Sequence, residues 1–318
     1  MGGSIEPIMG EASAFVPGHL TGLFQICDEL EDPLKKGSRG AGLSITRGIR
    51  TMVRATEAER GSVTISINGK RTKAAVVSEN VASKLASVYG GPCKIEVRHE
   101  AGIPIGSGFG ASGAGALGLA MALNEAMGLG LSRIEAARVA HVAEIECKTG
   151  LGTVLAELTG GFGLITRAGG PGIGETLKFK HSADLSVVCL HLGPISTKEV
   201  LSNPKLRSRI NELGGRFVEE LRRDQSSELF LKLSRSFAEH VGLITPRIRS
   251  VLERTDEEGY VCSMAMFGET VFSFVDGEDS ERLLKVMVEV APGYEAFATG
   301  IDEQGARLVC AQMRAHID

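Results

Sequence analysis

Apolar and polar positions alternate or recur along almost the whole chain, and the period changes from two to near four and back. Residues 12–16 form a short apolar run that reads as a strand closing at Pro17-Gly18. Residues 41–56 carry β-branched side chains in a longer strand-like run, and Ser62–Ile67 alternates cleanly. Asn68-Gly69 follows, a hairpin signal that predicts a return strand over 71–77. Residues 79–89 take a helical period, and 94–98 alternate again. A helix rich in Ala, Leu and Met is expected over about 112–127. Ser132 and Glu135 have the spacing of a capping box and open a second helix over 133–147. A strand at 162–166 follows Gly160-Gly161.

The first half therefore reads as α+β, with strands first and helices packed on them. Gly169–Gly172 is the expected linker, dividing the chain into domains at 1–170 and 171–318. Beyond it, strands are expected at 176–180 and 185–192. Helices are expected at 197–201, 205–223, 226–241 and 246–254. A strand pair near 260–275, a helix at 279–290 and closing strands at 295–310 complete an α+β second half.

Composition narrows the function. In 318 residues, 43% are hydrophobic and 23% charged, as in a globular protein. The formal net charge of −4 offers no bulk field for nucleic acid, and the absence of Trp with only three Tyr argues against a base-stacking platform. The six scattered cysteines form no CxxC and read as reduced thiols, not zinc ligands or disulfides. No apolar run is long enough to span a membrane and none has the form of a signal peptide, so a cytoplasmic location is expected.

Glycine changes the picture. Its 41 residues cluster at 37–48, 102–118 and 150–174 without period. The informative run is Pro104-Ile-Gly106-Ser107-Gly108-Phe109-Gly110-Ala111-Ser112-Gly113-Ala114. Alternating glycines entering a helix give backbone N–H groups, and the positive end of the helix dipole, free approach to a phosphate. Ser112 could cap that helix or set its hydroxyl on a phosphate or Mg²⁺. The run lacks the Gly-Lys-Ser/Thr ending of a Walker A loop and the spacing of a dinucleotide fingerprint. By itself it is equally a tight structural turn.

Taken with Pro17-Gly18-His19 and the segment 150–161, the run resembles the nucleotide loop of the GHMP kinases. Ser13–Phe24, Gly37–Gly42, Thr149–Gly152 and Gly305–Leu308 are similar to segments of the archaeal pantoate kinase family within that group. The resemblance implies a two-lobed α+β fold with a ribosomal-S5-like ATP-binding lobe and a ferredoxin-like C-terminal lobe. It also implies ATP and Mg²⁺ as cofactors and pantoate as substrate, with no nucleic acid or membrane partner and with homodimerisation open. Other GHMP kinases, acting on homoserine, shikimate or mevalonate, are the nearest alternative; a catalytically inactive ATP-binding regulator is another.

Carried over residue by residue, Pro104–Ala114 would bind ATP, and Ser112 would share Mg²⁺ with a glutamate on the following helix. Glu144 and Glu146 compete for that place, about 160° apart around the helix. Glu144 lies with Ala137, Ala140 and His141 on a small-residue face and is the expected ligand. Some members carry a catalytic aspartate at the position of Thr153, which cannot act as a carboxylate. The reaction then runs without a base, or His19 takes the role. The substrate would meet His19, Thr21 and Arg39, with Arg39 on its carboxylate ahead of Arg47 and Lys148. The third glycine motif of many members is reduced to Ser263–Thr270 with one glycine, which reads as a buried strand first and a nucleotide-facing turn second.

Overall fold

The computed structural model describes residues 8–310. Two sheets organise it. The first has eight strands in the order β12-β1-β2-β5-β3-β4, with β6 also paired to β2 and β7 to β6. Its long strands are β1 (Ile8–Cys27) and β2 (Gly37–Glu57), an antiparallel pair whose register shifts at Pro17/Gly18 and Thr21/Leu23. Pro17-Gly18 therefore bends β1 where the sequence suggested an end. β5 (Cys93–Ala101) runs antiparallel to β2 and parallel to β3 (Ser62–Ile67), so α1 (Val76–Tyr89) is a crossover between parallel strands. The Asn68-Gly69 turn forms, but its return strand β4 is only Lys70–Arg71, because the chain then leaves to start α1.

Helices α2 (Ala111–Ala126) and α3 (Arg133–Cys147) pack together under this sheet. The α3 capping box forms as expected, with Ser132 and Glu135 exchanging hydrogen bonds. α4 (Thr153–Thr159) and β6 (Phe162–Arg167) follow. The division expected at residue 170 falls inside this sheet, since β7 (Glu175–Lys178) pairs with β6 beyond it. Gly169–Gly172 is a packed turn: Gly170 N–H bonds the Leu34 carbonyl, and a Cβ on Gly170 would meet the His141 ring at 2.7 Å.

The second sheet begins at β8 (Leu185–Pro194) and is antiparallel, in the order β11-β8-β10-β9. Its strands β9 (Ser263–Met264), β10 (Gly268–Asp276) and β11 (Glu295–Thr299) thus give the 4-1-3-2 order of a ferredoxin-like lobe. Helices α5 (Thr197–Ser202), α6 (Pro204–Arg223), α7 (Ser227–Val241) and α8 (Pro246–Glu257) lie between β8 and β9, and α9 (Gly277–Val290) between β10 and β11. Finally β12 (Arg307–Val309) returns to pair with β1. One continuous apolar core joins both sheets and includes Phe162, Phe230, Phe272 and Phe274, whose rings meet edge-on or tilted. All six cysteines are unpaired. Among the described residues no helix is long and apolar enough to cross a membrane.

Candidate active site

The loop between β5 and α2 is shaped by its glycines. Gly106, Gly108 and Gly110 all have positive φ, at 76°, 82° and 69°, a region that side chains with a Cβ rarely enter. The chain reaches α2 with Gly110 as N-cap and no side chain capping it, so the first-turn N–H groups face outward unclaimed. Of the expected loop residues, Gly106, Ser107, Gly108, Gly110, Ala111, Ser112 and Gly113 line a cavity of about 330 Å³. Pro104, Phe109 and Ala114 do not. Phe109 is fully buried against Phe297 and anchors the loop through its carbonyl, which accepts the His19 N–H at 2.9 Å. Ala114 is buried in the core.

The second lobe grips this loop from the other side. Thr270 Oγ1 donates to the Ser107 carbonyl at 2.7 Å, and Met266 N–H to the Thr21 carbonyl at 2.8 Å. Gly268 sits so close to the Ser107 backbone that a Cβ there would collide with it. In the Ser263–Thr270 segment, Ser263–Met264 is the buried strand read from the sequence, and Met266 and Phe267 line the cavity. Phe267 holds φ at 64°, an uncommon backbone for a bulky residue.

Ser112 does not cap α2. Its hydroxyl donates to Glu144 Oε1 at 2.5 Å, and Thr149 Oγ1 donates to the same oxygen at 2.7 Å. Glu144 is buried and lines the cavity; burial raises its carboxyl above the usual range, opposed by those two hydrogen bonds. Glu146 points the other way, onto α1, where it accepts from Asn80 and Lys84 at 3.0 Å each. His19, Thr21 and Thr153 also line the cavity. The His19 ring is buried within hydrogen-bond distance of Ser44 Oγ at 3.3 Å, and burial lowers its pKa to about 4. It is neutral near pH 7 and better suited to hydrogen bonding than to carrying a proton.

Arg39 is placed otherwise than expected. Its guanidinium bonds the Thr166 carbonyl at 3.0 Å, Gln25 at 3.4 Å and Glu219, tying the β1–β2 hairpin to β6 and α6, and it does not line the cavity. Arg47 pairs with Glu295 and covers Phe297, and Lys148 is an exposed helix cap in the left-handed region. The cation that does line the cavity among the described residues is Lys178, whose Nζ bonds the Glu303 carbonyl at 2.8 Å and pairs with the Glu303 carboxylate at 3.3 Å. It went unread because β7 carries no motif.

Glu157 went unread too. It sits on α4, a seven-residue helix hidden between glycines. Its carboxylate is fully buried with neither oxygen hydrogen-bonded, and desolvation, then the nearby Glu144 charge, raises its pKa well above the carboxylate range. The only sequence signal was its four-residue spacing from Thr153.

Known proteins fit this geometry. Residues 75–161 match the GHMP kinases N terminal domain, which spans α1 through the end of α4 and includes the whole loop. The chain is 34% identical over 293 residues to a pantoate kinase of Thermococcus kodakarensis, covering 89% of this chain and 93% of that one. It is also 34% identical over 274 residues to a pantoate kinase of Methanocaldococcus jannaschii, covering 86% and 96%. A solved phosphotransferase related to the CoA biosynthesis pathway superposes with TM-score 0.85 at 30% identity, covering 94% of this chain and 98% of that one. Homoserine kinase from Cytophaga hutchinsonii, at 17% identity and TM-score 0.67, shares the fold over 97% of this chain and 99% of its own. The chain belongs to the pantoate kinase family of the GHMP kinases.

Proposed function

We propose that this cavity is where the γ-phosphoryl group of ATP passes to the terminal hydroxyl of pantoate, with Mg²⁺ as the metal. The observation that carries the reading is the bond between Ser112, in the first turn of α2 directly after three left-handed glycines, and Glu144 on α3. A hydroxyl and a carboxylate are hard oxygen donors, the set Mg²⁺ prefers when phosphates complete its shell. When bound, the ion would neutralise charge on the transferring phosphates.

The chain's own residues do the rest. The unclaimed N–H groups of α2 and the loop glycines would hold phosphate oxygens. Ile67, Ala75, Val76 and Val77 give the cavity an apolar wall suited to a base. Neutral His19 and Thr21 offer hydrogen bonds to the substrate hydroxyls. Lys178 takes the place first given to Arg39, as the cation for the substrate carboxylate. The reading sets the enzyme in the cytoplasm, acting on a small molecule.

A coupled ADP-release assay with Mg²⁺-ATP tests it. Pantoate should be turned over with kcat/KM at least about a hundredfold above homoserine, shikimate or mevalonate. Turnover of one of the others without pantoate would assign a different substrate. ATP binding with no turnover of any would make the chain a regulator.

A further inference from the structure

Glu157 stands apart from the other buried carboxylates. Glu144 accepts from two hydroxyls, Glu269 pairs with Arg247, and Asp302 accepts from Arg307 and from the N–H groups of Gln304 and Gly305. Among the described residues Glu157 has no such partner, although it is fully buried. Leaving a carboxylate unpaired in a protein interior is costly, and folds that keep one usually use it.

Its position says how. Thr153 and Glu157 are four residues apart, on one face of α4. Helical side chains lean toward the helix N-terminus, so the longer Glu157 chain reaches back to the level of Thr153. The two meet at Gly110: a Cβ on that residue would lie 2.8 Å from Thr153 Cγ2 and would collide with Glu157 Oε1. On the other side, a Cβ on Gly113 would lie 2.8 Å from Oε2. Gly110, Gly113 and Thr153 all line the cavity. The carboxylate does not itself line the cavity; it lies behind the first turn of α2, against the two positions, Gly110 and Gly113, that carry no Cβ. The other groups at this end of the cavity are engaged: Glu144 with Ser112 and Thr149, and His19 as a buried neutral ring beside Ser44. Thr153 has no carboxylate to offer.

We propose that Glu157 is the carboxylate that receives the proton of the acceptor hydroxyl, reaching the cavity beside Thr153 across Gly110. The proposal rests on the cavity being a kinase site. In the step, taken by the ionised fraction of Glu157, the substrate O–H bond breaks and its proton passes to Oε1, so the rate should rise with pH. The freed oxygen bonds the γ-phosphorus, and the bond from that phosphorus to the bridging oxygen breaks, its electron pair leaving with ADP. Rotation about the three side-chain torsions of Glu157 brings the carboxylate forward. A glycine at 110 leaves room for that movement.

The test compares wild type, Glu157→Gln and the double variant Glu157→Gln with Thr153→Asp. Glutamine keeps the volume and removes the proton acceptor. The expected result is kcat lowered at least about a hundredfold in Glu157→Gln. Calorimetric dissociation constants for ATP and pantoate should stay within about threefold, and the melting temperature should be unchanged or higher, since a buried unpaired acid has gone. The aspartate at 153, one turn nearer the cavity on the same face, should return at least about tenfold of the lost rate. A kcat within about threefold of wild type overturns the proposal. So does a loss of kcat accompanied by a lower melting temperature and weaker ATP binding, which is what a core residue would give. No recovery in the double variant overturns it as well. If wild type phosphorylates none of the four hydroxy acids, the kinase reading fails and the proposal with it.

Discussion

His99 and Glu157 are both buried against helix α2, and the fold treats them in opposite ways. His99, under Gly115, has both ring nitrogens within hydrogen-bond distance of hydroxyls, Thr51 Oγ1 at 2.9 Å and Ser78 Oγ at 3.1 Å. Glu157, under Gly110 and Gly113, has neither oxygen bonded. The first is a finished polar contact joining β2, β5 and α1 beneath the helix. The second is an unfinished one at the end of the helix where phosphates would arrive. A structural polar group has its partners in the protein; a group meant for a ligand waits for them.

The sharpest way to break the contrast is at the loop itself. Gly108 has φ of 82°, and a Cβ there would lie 2.9 Å from the Met266 carbonyl oxygen and 3.2 Å from Gly268 N. Gly108→Val therefore strains the backbone and pushes the loop off the second lobe. Left-handed strain plus overpacking comes to roughly 4 kcal/mol, close to a thousandfold in ATP affinity. Calorimetry would measure the affinity, and circular dichroism would establish that the variant is folded. Unchanged affinity in a folded variant would end the phosphate-cradle reading.

Next in size are the two glutamates of α3. Glu144→Gln removes the charge that Ser112 and Thr149 hold in the cavity and should cost about 3 kcal/mol of barrier, roughly a hundredfold in kcat. Glu146→Gln changes only the contacts to Asn80 and Lys84 on the outer face and should move kcat less than about threefold. Rates measured against Mg²⁺ concentration separate lost metal affinity from lost chemistry. A crippled Glu146 variant beside an active Glu144 variant would put the metal on the other face.

The helical phase that chose Glu144 over Glu146 was legible because α3 is long, capped and regular, so 100° per residue holds along it. The turn geometry of the loop was legible because alternating glycines ahead of a helix mark left-handed backbone, whereas its ligand was read from the resemblance. Arg39 was misread for a reason of scale: glycines on either side suggested access to a ligand, but they serve the close packing of β1 and β2, where a Cβ on Gly40 would lie 2.8 Å from Phe24 Cβ. α4 was invisible because seven residues between glycines are too few to show a period, and Glu157 went unseen with it. The β7 strand was expected, at 176–180, but on the far side of the linker and not as part of the first sheet. Its four residues pair on one side only, with β6, and no hydrophobic alternation marks them as part of the first sheet.

A smaller effect tests the finished side of the comparison. His99→Leu leaves the Thr51 and Ser78 hydroxyls buried without their shared partner. Losing those hydrogen bonds should cost about 2 kcal/mol of stability. His99 and Ser78 line the cavity, but their polar atoms are bonded to each other and to Thr51, so kcat should stay within about threefold. Urea unfolding midpoints alongside steady-state rates would measure both. A large loss of kcat with stability intact would mean that His99 belongs to the site and that the contrast with Glu157 is false.

The smallest effect is in the pH dependence of stability, where the two kinds of buried group pull in opposite directions. Burial lowers His19 and His99 from 6.5 to about 4 in the folded protein. Between those values the unfolded chain binds more protons than the folded one. Stability is therefore full above 6.5 and is lost as pH falls toward 4. From pH 7 to pH 6 the two histidines together should remove about 1 kcal/mol. Glu144 and Glu157 have raised folded pKa values, so the folded chain binds more protons there. What they contribute is fully present below the unfolded value of 4.5 and is lost as pH rises through their folded values. His99→Leu should flatten the acid limb only in part, since His19 remains and burial also lowers His141 and His191. Glu157→Gln should leave that limb alone and soften the decline on the alkaline side. Unfolding midpoints at pH 6, 7 and 8 for the three proteins distinguish these outcomes. An acid limb equally steep in His99→Leu would show that His99 is not held neutral by the fold, and its hydroxyl partners would then be accepting from a charged ring.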